Sequence, residues 1–221
     1  MLDIPLVGRA ERVEESLNDV AYRVIADRLI MLEIRPNESI NETQLSKEMQ
    51  MGRTPIREAL RRLEGDRLVV SHARKGAYAA PIDFADPEEI AQLRQALEPM
   101  AAELAARLAS TNARKTFEKY REIIRTLDPA GVEQSDLMRL DLAVHQLVYR
   151  AAGNSHLEET LLRYANLWTR ILGLMLERRP LILEQLQELG GVVQAILDRD
   201  GAEASRLMTA QLNGLNEYLR A

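Results

Sequence analysis

The chain has 221 residues, no cysteine and a formal net charge of −5, with 46% hydrophobic and only 4% aromatic residues. That length holds one large or two modest domains, and the hydrophobic share can fill a sizeable core. The composition excludes a disulfide framework, a thiolate metal centre and a protein that coats nucleic acid indiscriminately.

No apolar run is long enough to span a bilayer and the N-terminus lacks a signal-peptide pattern, so a cytoplasmic protein with no membrane partner is expected. Residues 1–15 show no clear period and read as an arm. Ser16 can cap a helix running to about Glu33, with Leu17, Val20, Val24, Ile25 and Leu29 as its buried stripe and Pro36-Asn37 as its breaker. Asn41 caps a second helix with Gln44 at capping-box spacing, Leu45 and Met49 facing inward, and an end near Met51-Gly52.

A third helix follows almost at once. Thr54 suits the N-cap and Pro55 the first helical position. Ile56, Ala59, Leu60 and Leu63 share an inward face; Arg57 and Arg61 share another, with Arg53 just before. Two short helices joined by so tight a turn form a helix-turn-helix. Leu68-Val69-Val70 and Gly76 to Ala80 then read as strands of a hairpin whose polar tip runs from His72 to Lys75. Residues 16–80 are thus expected to be a winged helix-turn-helix of three helices plus a β-hairpin.

Charge supports the same reading. Residues 52–76 hold seven Lys or Arg against three acids, whereas residues 81–221 hold 16 against 21. A confined basic patch on an acidic chain marks a local polyanion site. Arg53 and Arg57 are the expected base-reading residues, with Arg61 on the same face and Thr43 and Thr54 on phosphate. Arg74 and Lys75 at the hairpin tip, with His72 beside them, are placed to meet the nucleic-acid backbone.

Residues 81–86 read as a linker. Residues 87–221 read as an antiparallel bundle of six helices, opened by the Asp86-Pro87-Glu88-Glu89 start signal. The first runs to about Ala109, with Leu93, Leu97, Met100, Leu104 and Leu108 inward. The second spans about 112–127 and stops at Asp128-Pro129-Ala130-Gly131. The third spans about 134–152 and ends at Gly153-Asn154. Ser155 with Glu158 caps a fourth to about Glu177, Pro180 starts a fifth to about Arg199, and Asp200 with Glu203 caps a sixth to about Arg220. Gly190-Gly191 marks a kink or a close helix contact in the fifth.

Taken together, the chain from about Ser16 to Ala221 resembles the GntR family of bacterial transcription regulators, in the FadR-like branch. The motif Arg53-Thr54-Pro55-Ile56-Arg57-Glu58-Ala59-Leu60, then Arg62-Leu63-Glu64 and Gly76, is similar to the family's recognition helix and wing. Arg94-Gln95-Ala96-Leu97-Glu98, Asp141, His145 and Ala151-Ala152-Gly153-Asn154 resemble the family's helical effector domain, or FCD domain, and six helices suggest the VanR-like subgroup. Gly52 and Arg67 depart from the Ser and Gly that relatives often carry.

The resemblance implies an effector pocket, and many relatives hold a divalent metal there with one Asp and three His. Asp141 and His145 are present, but Leu189 and Gln211 stand where two of the histidines belong. A two-residue remnant is expected to bind metal poorly, so no metal ligand set and no cofactor are expected, although water or ligand oxygens can complete a partial site. The expected effector is a carboxylate held by Arg94, a lone cation on an apolar run, with Asp141 orienting His145 and with Tyr149, Asn166 and Gln211 adding polar contacts. Trp168, the only tryptophan, reads as core, and His156 as exposed.

The function implied is a ligand-responsive DNA-binding regulator, a repressor, on a palindromic operator as a homodimer. Two alternatives stand beside it. One is a helical metal- or ligand-binding enzyme using Asp141 and His145, against which no nucleophile motif, phosphate loop or complete metal set is present. The other is a DNA-binding protein that answers to no effector.

Overall fold

The computed structural model describes residues 16–83, 86–128, 131–176 and 182–220. The expected arm at 1–15, the Phe84-Ala85 part of the linker, the stop at Pro129-Ala130, the helix end at Glu177 and the helix start at Pro180 lie outside them. No helix among the described residues is long and apolar enough to cross a membrane.

The N-terminal part packs α1 (Leu17–Ile30) on α3 (Arg53–Gly65), with the short α2 (Glu42–Glu48) beside α3. Ala21, Ile25, Leu29, Ile56, Ala59 and Leu63 form its centre. Side-chain caps fix two starts: Ser16 accepts from the Asp19 N–H, and Asn41 accepts from the Thr43 and Gln44 N–H groups. Leu17 is exposed and not part of the buried stripe.

The helix α3 opens two residues earlier than expected. Gly52 is its N-cap and makes no side-chain bond, so Thr54 and Pro55 lie inside the first turn. Proline is tolerated there because the first four N–H groups have no partner within a helix. The other end is a Schellman turn: Leu68 donates to the Leu63 carbonyl at 2.9 Å and Arg67 to the Glu64 carbonyl at 3.1 Å. Arg67 takes a left-handed φ of 61° there, the conformation that favours glycine.

The wing is a sheet of three strands among the described residues rather than a simple hairpin. β2 (Val69–His72) pairs antiparallel with β3 (Gly76–Ala79), His72 opposite Gly76. β1 (Ser39–Ile40), which precedes α2, pairs with the outer edge of β3, Ile40 opposite Ala77. Two residues are too short a run to announce a strand by periodicity; the edge of β3 supplies the partner.

The C-terminal part is α4 (Asp86–Leu108), α5 (Thr111–Thr126), α6 (Gln134–Ala151), α7 (Ser155–Leu176), α8 (Ile182–Leu197) and α9 (Gly201–Arg220). α4 packs against α6, α7, α8 and α9, and α5 against α6 and α8. The α7 cap is Asn154, whose side chain accepts from the Leu157 N–H, and not Ser155. Asp200 caps α9 as the sequence suggests, accepting from the Glu203 N–H. α8 runs unbroken through Gly190-Gly191, and Gly190 leaves room for Ile124 of α5.

The rotation of α4 corrects the sequence reading. Its inward face carries Ile90, Arg94, Glu98, Ala101, Ala102, Ala105 and Ala106, whereas Leu93, Met100 and Leu108 are 38%, 43% and 58% exposed. Leu97 and Leu104 are half-buried. The two stripes lie one residue, roughly 100°, apart. The alanine stripe wins the interior because small side chains let α9 approach closely; a Cβ at Gly201 would sit 3.3 Å from the Glu103 carbonyl.

The two parts meet through α6 and α7. Arg139 of α6 pairs with Asp27 at 2.9 Å and with Glu33 at 3.2 Å. Arg170 of α7 is 1% exposed and donates to the Ala80 carbonyl at 2.8 Å. Leu32 nests against Gly173, where an added Cβ would meet it at 2.8 Å.

Candidate nucleic-acid interface and buried polar cluster

The exposed face of α3 and the wing gather the basic residues singled out in the sequence. Arg53, Thr54, Arg57 and Arg61 are exposed on α3, Pro55 is half-buried, and Thr43 is exposed on the first turn of α2. Two of these arginines have acidic neighbours. Arg57 Nε lies 2.8 Å from Glu42, and Arg61 lies 2.7 Å from Glu58. Surface pairs of this kind are weak and exchange readily for another anion. Arg62, by contrast, turns back to Asp19 at 2.7 Å and stacks over the Tyr22 ring at 4.2 Å, so it serves the fold. Arg74, Lys75 and Gly76 are exposed at the wing turn, with φ of 65° at Arg74 and 93° at Gly76. His72 is exposed and stands edge-on to Tyr78 at 5.4 Å.

The helical part holds a buried polar cluster built on three helices. α4 contributes Arg94 and Glu98, α6 contributes Asp141, His145 and Tyr149, and α7 contributes Trp168. Spacings of four place Arg94 with Glu98, and Asp141, His145 and Tyr149, on single helix faces. Arg94 Nε donates to Glu98 Oε1 at 2.5 Å, and its guanidinium lies 4.9 Å from the Trp168 ring centre. Tyr149 donates to the same Glu98 oxygen at 2.9 Å, and His145 Nδ1 lies 3.2 Å from Glu98 Oε2.

Arg94 is therefore not the lone cation the sequence suggested. Glu98, absent from the expected pocket, is 0% exposed and is its counter-charge. Asp141 is not hydrogen-bonded to His145 either: its Oδ1 is 3.9 Å from Nε2, too long for a hydrogen bond, while Glu98 Oε2 lies 3.2 Å from Nδ1 on the opposite edge of the ring without a hydrogen bond of its own. Trp168 is buried as expected of a core residue, yet its ring floors the Arg94 site. The arginine-to-glutamate spacing on α4 was the sequence signal for Glu98.

The electrostatics follow from these contacts. Burial alone would raise the Glu98 carboxyl, but Arg94 and His145 outweigh it and hold it down at about 2. Burial opposes the Arg94 charge, and Glu98 more than restores it. The Tyr149 hydroxyl is pushed well up by burial and then by Glu98, so it stays a donor. Burial also raises Asp141, against the pull of His145 and Arg94.

Several buried polar atoms make no hydrogen bond within the described chain: Arg94 Nη1, His145 Nε2, Trp168 Nε1, Asn166 Oδ1 and Gln211 Oε1. Gln211 donates its amide to Gln185 at 2.9 Å, a partner the sequence did not suggest. Leu189 is fully buried and offers no donor atom to an ion. No group of three or more His, Cys, Asp or Glu that could hold a metal ion occurs among the described residues.

A separate cavity of about 630 Å³ opens at the joint between the two parts, bordered by Val69, Val70, Pro81, Ile82, Leu167 and Ile171. None of the cluster residues borders it.

Comparison with known proteins agrees with both halves. Residues 17–78 match the model for bacterial regulatory proteins of the gntR family, and residues 89–214 match the FCD domain. The uncharacterized HTH-type transcriptional regulator YdhC of Bacillus subtilis (strain 168) is 35% identical over 58% of this chain, an alignment spanning 57% of that relative's length. The HTH-type transcriptional repressor GlaR of Escherichia coli (strain K12) is 26% identical over 86% of this chain and 90% of its own. Among solved structures, McbR/YncC of E. coli superposes with a TM-score of 0.79 at 18% identity, covering 93% of this chain and 97% of that one, which shows a shared fold. With both segments matched in order, the chain belongs to the GntR family of bacterial regulatory proteins and carries an FCD domain.

Proposed function

We propose that the chain is a ligand-responsive transcription regulator of the cytoplasm, a repressor, that binds a palindromic DNA operator as a homodimer and releases it when a small polar molecule occupies the helical part. The observation that carries this reading is the pairing of two unlike surfaces: an exposed basic face on α3 and the wing, and a buried polar cluster with unsatisfied atoms. The first suits DNA phosphates and major-groove edges. The second suits a small polar ligand, since buried polar atoms normally have partners.

The coupling would be a population shift. α6 carries Asp141 and His145 as well as Arg139, which holds α1. α7 carries Trp168 as well as Arg170, which holds Ala80. A ligand that moves either helix biases the placement of the DNA-binding part. The exposed Leu93, Met100 and Leu108 on α4 support dimerisation through the helical part. We also propose that the pocket works without metal, since Leu189 and Gln211 leave only two donors. The GlaR relative, named a repressor, favours repression over activation.

The test is selection of duplexes from a random DNA pool by the full-length protein, followed by anisotropy titration of the recovered sequence. A palindromic consensus bound with two chains per site, and loss of binding in Arg53→Ala and Arg57→Ala, would support the reading. Recovery of no common sequence would refute it. An enzyme built on Asp141 and His145 is disfavoured by the 3.9 Å gap between them and by the absence of a neighbouring nucleophile among the described residues of the cluster.

A further inference from the structure

The cavity of about 630 Å³ at the joint is bordered by both parts of the chain and by no residue of the buried polar cluster. Its volume is that of an ordinary small-molecule site, and such sites favour the seams between structural units. Val69, Val70 and Ile82 supply apolar surface from the DNA-binding part and the linker, and Leu167 and Ile171 supply it from α7. Val69 and Ile171 are buried, whereas Glu64, Arg67 and Asp83 are exposed, so the cavity has an apolar interior and a charged mouth. Arg170 ties the two parts together at its border by donating to the Ala80 carbonyl.

The charges define the guest. Two guanidinium groups, Arg67 and Arg170, and two carboxylates, Glu64 and Asp83, border the cavity, and their charges cancel. A guest with a net charge would lose its hydration without gaining a net attraction. An extended peptide is not favoured either. β2 is an edge strand, but Ser71 gives its N–H to Glu64 Oε1 at 3.0 Å, so a strand adding to that edge would find the donor taken. Arg67 reaches the border from a left-handed φ of 61°, which costs arginine and not glycine. Strained residues of this kind concentrate at ligand clamps and switch regions.

We propose that the joint cavity is a second small-molecule site, for a compact, neutral, mostly apolar compound, and that its occupancy is linked to operator binding. A guest there touches α7 and the linker on one side and β2 on the other. Its affinity therefore depends on how the two parts are placed, and by reciprocity so does the affinity for DNA. The site uses neither Arg94 nor any other residue of the cluster, so it stands apart from the effector reading above.

The experiment uses the full-length protein and two fluorescent probes with the same aromatic skeleton, neutral N-phenylnaphthylamine and anionic anilinonaphthalene sulfonate. The neutral probe should saturate at a single site per chain, and the sulfonate should bind at least about tenfold more weakly. Val70→Trp and Leu167→Trp, which fill the cavity from its two sides, should each abolish that binding. Glu64→Gln, which leaves the border with a surplus cation, should let the sulfonate gain on the neutral probe by about two- to fivefold. Saturating neutral probe should change the affinity for the selected operator by about fivefold or more. No binding of the neutral probe overturns the site, and so does binding that survives both filling variants, since the probe would then sit elsewhere, for example on the exposed stripe of α4. Equal binding of the two probes overturns the neutral class, and an unchanged operator affinity overturns the linkage. Probe binding is measured without DNA, so its failure is separate from a failure of operator selection.

Discussion

Removing the Glu98 carboxylate should be costly, and removing the whole pair should not. Arg94 is 3% exposed and Glu98 0%, so Glu98→Ala strands a guanidinium in a low-dielectric interior and leaves the Tyr149 hydroxyl without its acceptor. Breaking a buried pair from one side costs about 3–5 kcal/mol. The pH dependence gives a second route to the same quantity. Glu98 sits at about 2 in the folded chain against an unfolded value near 4.3, and a difference of that size corresponds to roughly 3 kcal/mol. A depressed carboxyl contributes its stability fully above the unfolded value and loses it as pH falls from there toward 2. Glu98→Ala should therefore lower stability at pH 7 by about 3–5 kcal/mol and flatten the acid limb between pH 4.5 and 2. The double variant Arg94→Met/Glu98→Leu, which replaces the pair by apolar side chains, should recover most of the loss while losing the ligand response. Urea titrations of the three proteins at pH 7 and at two acidic values measure all of this. If Glu98→Ala were within about 0.5 kcal/mol of wild type, or the double variant were the least stable, the buried pair inferred from the 2.5 Å contact would not exist in solution.

Four further outcomes are expected. Arg57→Ala should weaken operator binding by about 1–3 kcal/mol, read by anisotropy, and Glu42→Gln should not weaken it, since Glu42 is the partner that DNA must displace. Neutralising Arg74 and Lys75 should weaken all sequences alike and make the salt dependence of binding shallower by about two counterions. Arg67→Gly should stabilise the DNA-binding part by roughly 0.5–1 kcal/mol, because the left-handed φ of 61° costs arginine about 1–2 kcal/mol and glycine gives part of that back as chain entropy. Met100→Glu, which puts charge into the exposed stripe on α4, should yield monomers in sedimentation equilibrium if that stripe is the dimer face.

Local chemistry made much of the fold legible. Ser16, Asn41 and Asp200 act as the caps their residue types suggest, and the apolar period of α3 gave its inward face. What was hidden depended on partners distant in sequence. β1 exists because β3 offers an edge, 36 or more residues later. The rotation of α4 could not be read from its two competing apolar stripes, since an alanine row and a leucine row are equally periodic and only the close approach of α9 decides between them. The cluster was partly legible for the same reason. Asp141, His145 and Tyr149 share a face through helical spacing alone. That Glu98 rather than Asp141 meets His145 depends on how α4 lies across α6, which no spacing within either helix records.

The contacts of α7 change what the linker at residues 81–86 means. A cut there would separate two segments that look independent by composition, yet it would take the Ala80 carbonyl from Arg170 and strip Leu32 from the notch at Gly173. The freed helical part would carry a guanidinium, 1% exposed in the whole chain, on a newly wetted surface, and a bare groove beside it. A fragment starting at residue 81 is thus a different molecule from the same residues in the full chain, and its ligand affinity and oligomeric state would describe a helix bundle that has lost one of its walls.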